Sequence, residues 1–152
     1  VINGKRDGAV RPNQISAVSL KHAIVDDAEK RRKIVEKVET ELVTPVGLRS
    51  LAPDDADYRP IYTGSPLDRD SAYHQGTVWA WLIGAFVDAY RKTYPDNKEK
   101  IKEILQGFEN HLHEAGVGQI SEIFDAEAPH APRGCPAQAW SVAEVLRVKN
   151  AG

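Results

Sequence analysis

At 152 residues and 41% apolar composition, the chain holds apolar material for one core, which limits it to one domain or part of one. Its 20 Lys and Arg nearly cancel its 22 Asp and Glu, and no basic run forms an electrostatic footprint, which excludes nucleic acid as a partner. No stretch approaches the roughly 18 uninterrupted apolar residues of a membrane span, and the opening VINGKRDG lacks the layout of a signal peptide, so a cytoplasmic protein without membrane contact is expected.

Strand signals are sparse, and five segments carry helical marks. The first, about Asn13 to Leu20, follows Pro12 and spreads Ile15, Ala17, Val18 and Leu20 around itself, which predicts a buried element. The second, about Asp26 to Leu42, gathers Ile34, Val35, Val38 and Leu42 on one stripe away from Lys30, Arg31, Lys33 and Lys37, the pattern of a half-exposed helix. The third, Thr77 to about Tyr94, sets Val78, Trp79, Trp81, Leu82, Ile83, Phe86 and Val87 all round its circumference and should be covered on most sides. The fourth begins with Asp96 and Glu99 in capping-box spacing and places Ile101, Ile104, Leu105, Phe108 and Leu112 opposite Lys98, Lys102 and Glu103. The fifth starts near Pro136 and runs through Ala139, Trp140, Val142, Ala143, Val145 and Leu146, apolar on nearly every side. The predicted order is inner, outer, inner, outer, inner, with the segments near 13–20, 77–94 and 136–148 more buried than those near 26–42 and 97–113.

Inner-to-outer connections are short turns, whereas the outer-to-inner ones, about Val43 to Gly76 and Glu114 to Cys135, exceed the roughly 12–15 residues usual for a loop without a function. This rhythm predicts an all-α fold, part of a toroid of helical hairpins whose long loops emerge on one rim. Each inner helix follows a polar cluster: Arg11 to Gln14, then Arg69 to Thr77, then Ser121 through Arg133 and Gly134. Helix capping and loop tethering account for some of these residues, Asn13 and Thr77 among them. They leave Tyr58, Tyr62, Tyr73, His74, Trp79, Trp81 and Phe124 unexplained, and flat aromatic faces beside planar amides and carboxylates suit a sugar ring. The lone Cys135 has no partner for an internal disulfide and is read as an inert thiol.

The strings LVTPVGLRSLAPDDADYRPIYTGSPLDRDSAYHQGTVWAWLIGAF and GQISEIFDAEAPHAPRGCPAQAWSVAEVLR, with RPNQ upstream, resemble the C-terminal region of the glycogen-debranching enzymes, the amylo-α-1,6-glucosidases, over nearly the whole chain. The resemblance implies an (α/α) toroid of six hairpins, of which residues 1–152 would be a C-terminal fragment, and inverting hydrolysis of the α-1,6-linked glucose at a branch point of glycogen or another α-glucan. It implies no cofactor. It places the general base on the glutamate of the SEIFD-type motif, Glu122, and the general acid on an aspartate of a Trp-Met-Asp stretch; this chain contains no methionine. Together with an opening at Val1 inside a turn-like stretch, this leads us to expect a piece of a longer protein, inactive in isolation and prone to self-association through uncovered apolar faces.

The residue types fit that chemistry, since inverting hydrolysis needs one carboxyl at the leaving oxygen and another holding water, about 6.5–9.5 Å apart. Glu122 follows Gly116 and Gly118, and Ile120, Ile123 and Phe124 flank it. Asp125 is read as a loop tether or sugar-hydroxyl acceptor, and Glu127 as solvated. Asp70, His74 and Trp79 are candidates for sugar contact, with His74 as hydroxyl donor, Trp79 or Tyr73 as stacking face, and Gln75 in the same cluster. Arg11, Gln14, Arg49 and Arg133 either hold hydroxyls or pin loops. His111 and His113, two apart on a helix, cannot share a metal, and no metal site is expected. Two other functions stay open: an inverting phosphorylase, if Arg49 and Arg133 converge on the sugar pocket in place of Glu122, and a non-catalytic helical module binding carbohydrate or protein.

Overall fold

In the computed structural model, which describes residue 4 and residues 6–151, six helices are joined by a small antiparallel sheet. Residues 1–3 and 5, part of the VINGKRDG opening read above, lie outside the described residues, as does residue 152. Pro12 opens a 3-10 turn, Pro12–Ile15, that runs into the short α1, Ser16–Ser19. α2, Ala28–Leu42, starts where the Asp27 carboxylate accepts the Lys30 N–H at 2.8 Å, and it turns Val35, Val38 and Leu42 inward. α3, Pro66–Ala72, opens with a reciprocal capping box between Ser65 and Asp68. α4, Ile83–Thr93, buries Ile83, Phe86, Val87, Ala89 and Tyr90 against α1 and α2. α5, Lys98–His111, is capped by Asn97, one residue later than the Asp96 of the expected box, and buries Ile101, Ile104, Leu105 and Phe108. α6, Ala139–Asn150, packs along α4. Phe86, Phe108 and Phe124 are fully buried in the shared core, each contributing about 1.5–3 kcal/mol by leaving water.

The long connections carry the sheet. β1, Val43–Thr44, turns tightly into β2, Gly47–Arg49; β3, Val78–Trp79, β4, Ile123–Phe124, and β5, Pro132–Arg133, follow in chain order, with every neighbour antiparallel. Leu48 pairs with Trp79, and Trp79 with Ile123, so both long connections are hydrogen-bonded to the strand that leads into α4. At Gly47 φ is +138° and a Cβ would meet the Trp79 carbonyl oxygen, so β2 approaches β3 on a backbone that only glycine permits.

Four expectations are corrected. The fold is mainly helical but not all-α, because strands of two and three residues are too short to show an alternating pattern, and β3 and β4 are buried at both positions. The third segment begins extended, with Val78 and Trp79 in β3 and the helix proper starting at Ile83. The burial order is partly inverted: α6 buries only Ser141, Val145 and Val148, while Trp140 and Leu146 are 48% and 52% exposed. The apolar circumference of α6 exceeds the neighbours available to cover it. α3, mostly exposed, lies inside a connection expected to be loop; its legible marks were Ser65, Pro66 and Asp68 rather than an apolar stripe. Among the described residues no helix is long and apolar enough to cross a membrane.

Candidate active site

The sheet brings the third polar cluster beside the second, and Arg11 ties the first to the second. Its guanidinium donates to the His74 carbonyl at 2.8 Å, the Ser50 carbonyl at 3.2 Å and Gln75 Oε1 at 2.6 Å. The Tyr73 carbonyl in turn accepts from Thr77 Oγ1 at 2.6 Å and Trp79 Nε1 at 3.0 Å. These bonds fix the turn between α3 and β3 from both sides.

Glu122 stands at the entry to β4, its N–H donating to the Cys135 carbonyl at 2.9 Å. Its Oε2 accepts the Cys135 N–H at 3.0 Å, and its Oε1 accepts the Tyr73 hydroxyl at 2.5 Å. Each carboxylate oxygen thus meets a donor from a different segment. The approach of Oε2 depends on Gly134, which has φ +65° and whose Cβ, were there one, would meet that oxygen. Burial, and then the bond to the Glu122 carboxylate, push the Tyr73 phenol well above its usual range, so it remains a protonated donor.

Glu122, Tyr73, His74, Trp79, Trp81, Trp140 and Arg11 share one cleft of about 610 Å³. The His74 ring stacks on Trp79 at 5.0 Å and 5°, Tyr73 meets Trp79 edge-on at 4.8 Å, and Trp81 stacks on Trp140 at 5.3 Å. Flat aromatic walls beside one carboxylate suit a sugar ring whose C–H faces stack while its hydroxyls hydrogen-bond.

The other expected contacts do not line this cleft. Asp125, 4% exposed, accepts Arg133 Nε and Nη2 at 3.0 and 2.7 Å and the Tyr62 N–H at 2.8 Å. The two side chains are thereby occupied as a loop tether instead of facing a hydroxyl. Gln75 Oε1 is taken by Arg11, and Gln14 Nε2 donates to the Ala9 carbonyl at 3.1 Å. Asp70 sits exposed on α3 away from the cleft wall. Arg49, on β2, lies next to Tyr58, whose phenol donates to Glu127 at 2.7 Å and is pushed up to about 12, chiefly by burial and then by that bond. Reading the sequence missed the role of Gly134, whose signal was its place in Arg133-Gly134-Cys135, and missed Trp140 as a cleft wall because its segment reads as a covered helix; Trp81 stood among the aromatics suited to a sugar ring. Among the described residues no three His, Cys, Asp or Glu side chains come together as a metal set.

Residues 2–147 match the family model described as Amylo-alpha-1,6-glucosidase. The chain is also similar to the glycogen debranching enzyme of Saccharomyces cerevisiae, 30% identical over 164 residues that cover 92% of this chain and 10% of that protein. The chain therefore spans about a tenth of the length of that curated relative.

Proposed function

Since the chain belongs to the amylo-alpha-1,6-glucosidase family, we propose that it supplies the water-activating side of a site that hydrolyses the α-1,6-linked glucose of a branched α-glucan. The observation that carries this reading is the placing of Glu122, the one carboxylate among the described residues lining the aromatic cleft, with both its oxygens held by donors. In the reaction Glu122 takes a proton from water as the water oxygen bonds to the anomeric carbon. The glycosidic C–O bond breaks, and a second carboxylic acid protonates the departing oxygen, with inversion at the anomeric centre. We assign that acid to another part of a longer protein. His74, exposed beside Trp79, would donate to a hydroxyl, and Trp81 and Trp140 would offer faces to the sugar, with Trp79, covered by His74, as their support. The 152-residue chain alone is then expected to bind glucan with little turnover, since acid assistance is typically worth about 10²–10⁴-fold.

Phosphorolysis is disfavoured because Arg49 and Arg133 stand outside the cleft, and Arg11, which lines it, commits its donors to two carbonyls and Gln75.

The assignment is tested in a complete polypeptide that also carries the acid. Glu122→Ala should lose about 10²–10⁴-fold in kcat with little change in substrate affinity, because the base acts on the attacking water in the transition state. Azide, which needs no deprotonation, should restore turnover of α-glucosyl fluoride and give β-glucosyl azide. Glu127→Gln, an exposed neighbour outside the cleft, should show neither effect. Near-normal kcat in Glu122→Ala would remove the base from this position.

A further inference from the structure

We propose that Tyr73 is a positioning residue for Glu122, holding its carboxylate aimed, and that it is not the face on which a sugar ring lies. The proposal rests on the reading of Glu122 as base and deepens it. The Tyr73 hydroxyl donates to Glu122 Oε1 at 2.5 Å while the Cys135 N–H holds Oε2 at 3.0 Å, so the carboxylate is gripped from the turn ahead of β3 and from the segment that follows β5. A donor on each oxygen resists rotation of the carboxylate and leaves each oxygen a free lone pair for water.

The ring of Tyr73 is itself engaged. Tyr62 lies at 5.8 Å, His74 at 4.9 Å and Trp79 at 4.8 Å between ring centroids, and three aromatic neighbours leave little of Tyr73 for a substrate to cover. Its backbone is pinned by Thr77 and Trp79 through one carbonyl, so the phenol oxygen has little freedom to leave Glu122. A half-buried phenol facing a carboxylate keeps its proton, so Tyr73 donates throughout the working range and takes no proton from the substrate water.

The isosteric Tyr73→Phe variant of the complete polypeptide keeps the ring and deletes only the donor. It should lower kcat by roughly 10- to 100-fold with KM within about twofold. Adding Tyr73→Phe to Glu122→Ala should cost no further azide-dependent turnover, because a residue acting only through the carboxylate has nothing left to position. Unchanged kcat in Tyr73→Phe, with KM raised in Tyr73→Ala, would make the ring a substrate face and overturn the proposal. So would an equal loss of azide-rescued turnover, which also exposes any general damage to the fold. Near-normal kcat in Glu122→Ala would instead sink the assignment of the base, an outcome separable from both.

Discussion

Two concavities of nearly equal volume differ in everything except size. The cleft at Glu122 measures about 610 Å³, and a groove between the ends of α4, α5 and α6 about 630 Å³. The cleft draws its walls from the turn before α1, the α3–β3 turn, the start of β4 and α6, and among its polar groups Arg11, Tyr73 and Glu122 are bonded to backbone or to other side chains. The groove is aliphatic underneath, at Ile101, Leu105 and Val148, and rimmed by lysines whose carboxylate partners lie at the surface, Lys149 to Glu109 and Lys102 to Glu99, both at 2.7 Å. Long side chains in exposed pairs keep their rotamer freedom and gain little from their partners. Volume therefore does not mark the functional concavity here; convergence of distant segments on groups with fixed directions does.

The sharpest way to break this comparison is to disturb the fixed directions while leaving the cleft residues in place. Gly134→Ala introduces a Cβ at φ +65°, where it would meet Glu122 Oε2. A left-handed alanine costs about 1–2 kcal/mol, and the carboxylate must also move aside. We expect kcat to fall by at least about tenfold in the complete polypeptide, with the fold retained by circular dichroism. A fully active variant would mean that the aim of Glu122 does not matter.

A smaller effect is expected where the three clusters are tied together. Arg11→Lys keeps the charge but replaces a fork that reaches the His74 and Ser50 carbonyls and Gln75 with a single point donor. Leaving partly buried carbonyls without a donor should cost about 1–3 kcal/mol, read as a lower urea midpoint at constant slope, and should raise KM more than it lowers kcat. An unchanged midpoint would show that the sheet alone holds the rim.

How much of this was legible varies with the range of the interaction. α2 and α5 could be read because a stripe such as Val35, Val38 and Leu42 is a local pattern with the helix's own period. α6 misled because Trp140 and Leu146 are apolar yet half exposed, and periodicity reports which faces are apolar, not whether a neighbour covers them. The strands escaped notice because two residues cannot display alternation, and their identity lies in partners such as Trp79 for Leu48, 31 positions apart on subtracting 48 from 79. At the site, Glu122, Tyr73, His74 and Trp79 belonged to motifs that stood out by composition, and the fold gathers them. Asp125 and Arg133 stood out equally, but whether a charged side chain faces a cleft or another loop depends on pairing, and here each satisfies the other. Gly134 carried no chemistry of its own to notice; its value is the space that a missing Cβ leaves for a carboxylate twelve residues earlier, from 134 back to 122.

The smallest expected effect belongs to the groove. Lys149→Ala removes one exposed pair with Glu109, whose carboxyl that lysine holds below its usual range through their hydrogen bond and charge. Because both side chains are about half exposed, water and salt screen the pair, and the urea midpoint should hardly move. Combined with Lys102→Ala, whose partner Glu99 is still more exposed, the shift should remain small, since neither alanine empties a packed volume or strands a buried donor. Turnover of a branched α-glucan by the complete polypeptide should stay within about twofold, because the groove contributes no residue to the Glu122 cleft. A large loss of turnover on polymeric glucan, with turnover of α-glucosyl fluoride intact, would mean instead that the lysine-rimmed groove engages the polymer at a distance from the chemistry, and the contrast between the two concavities would fail.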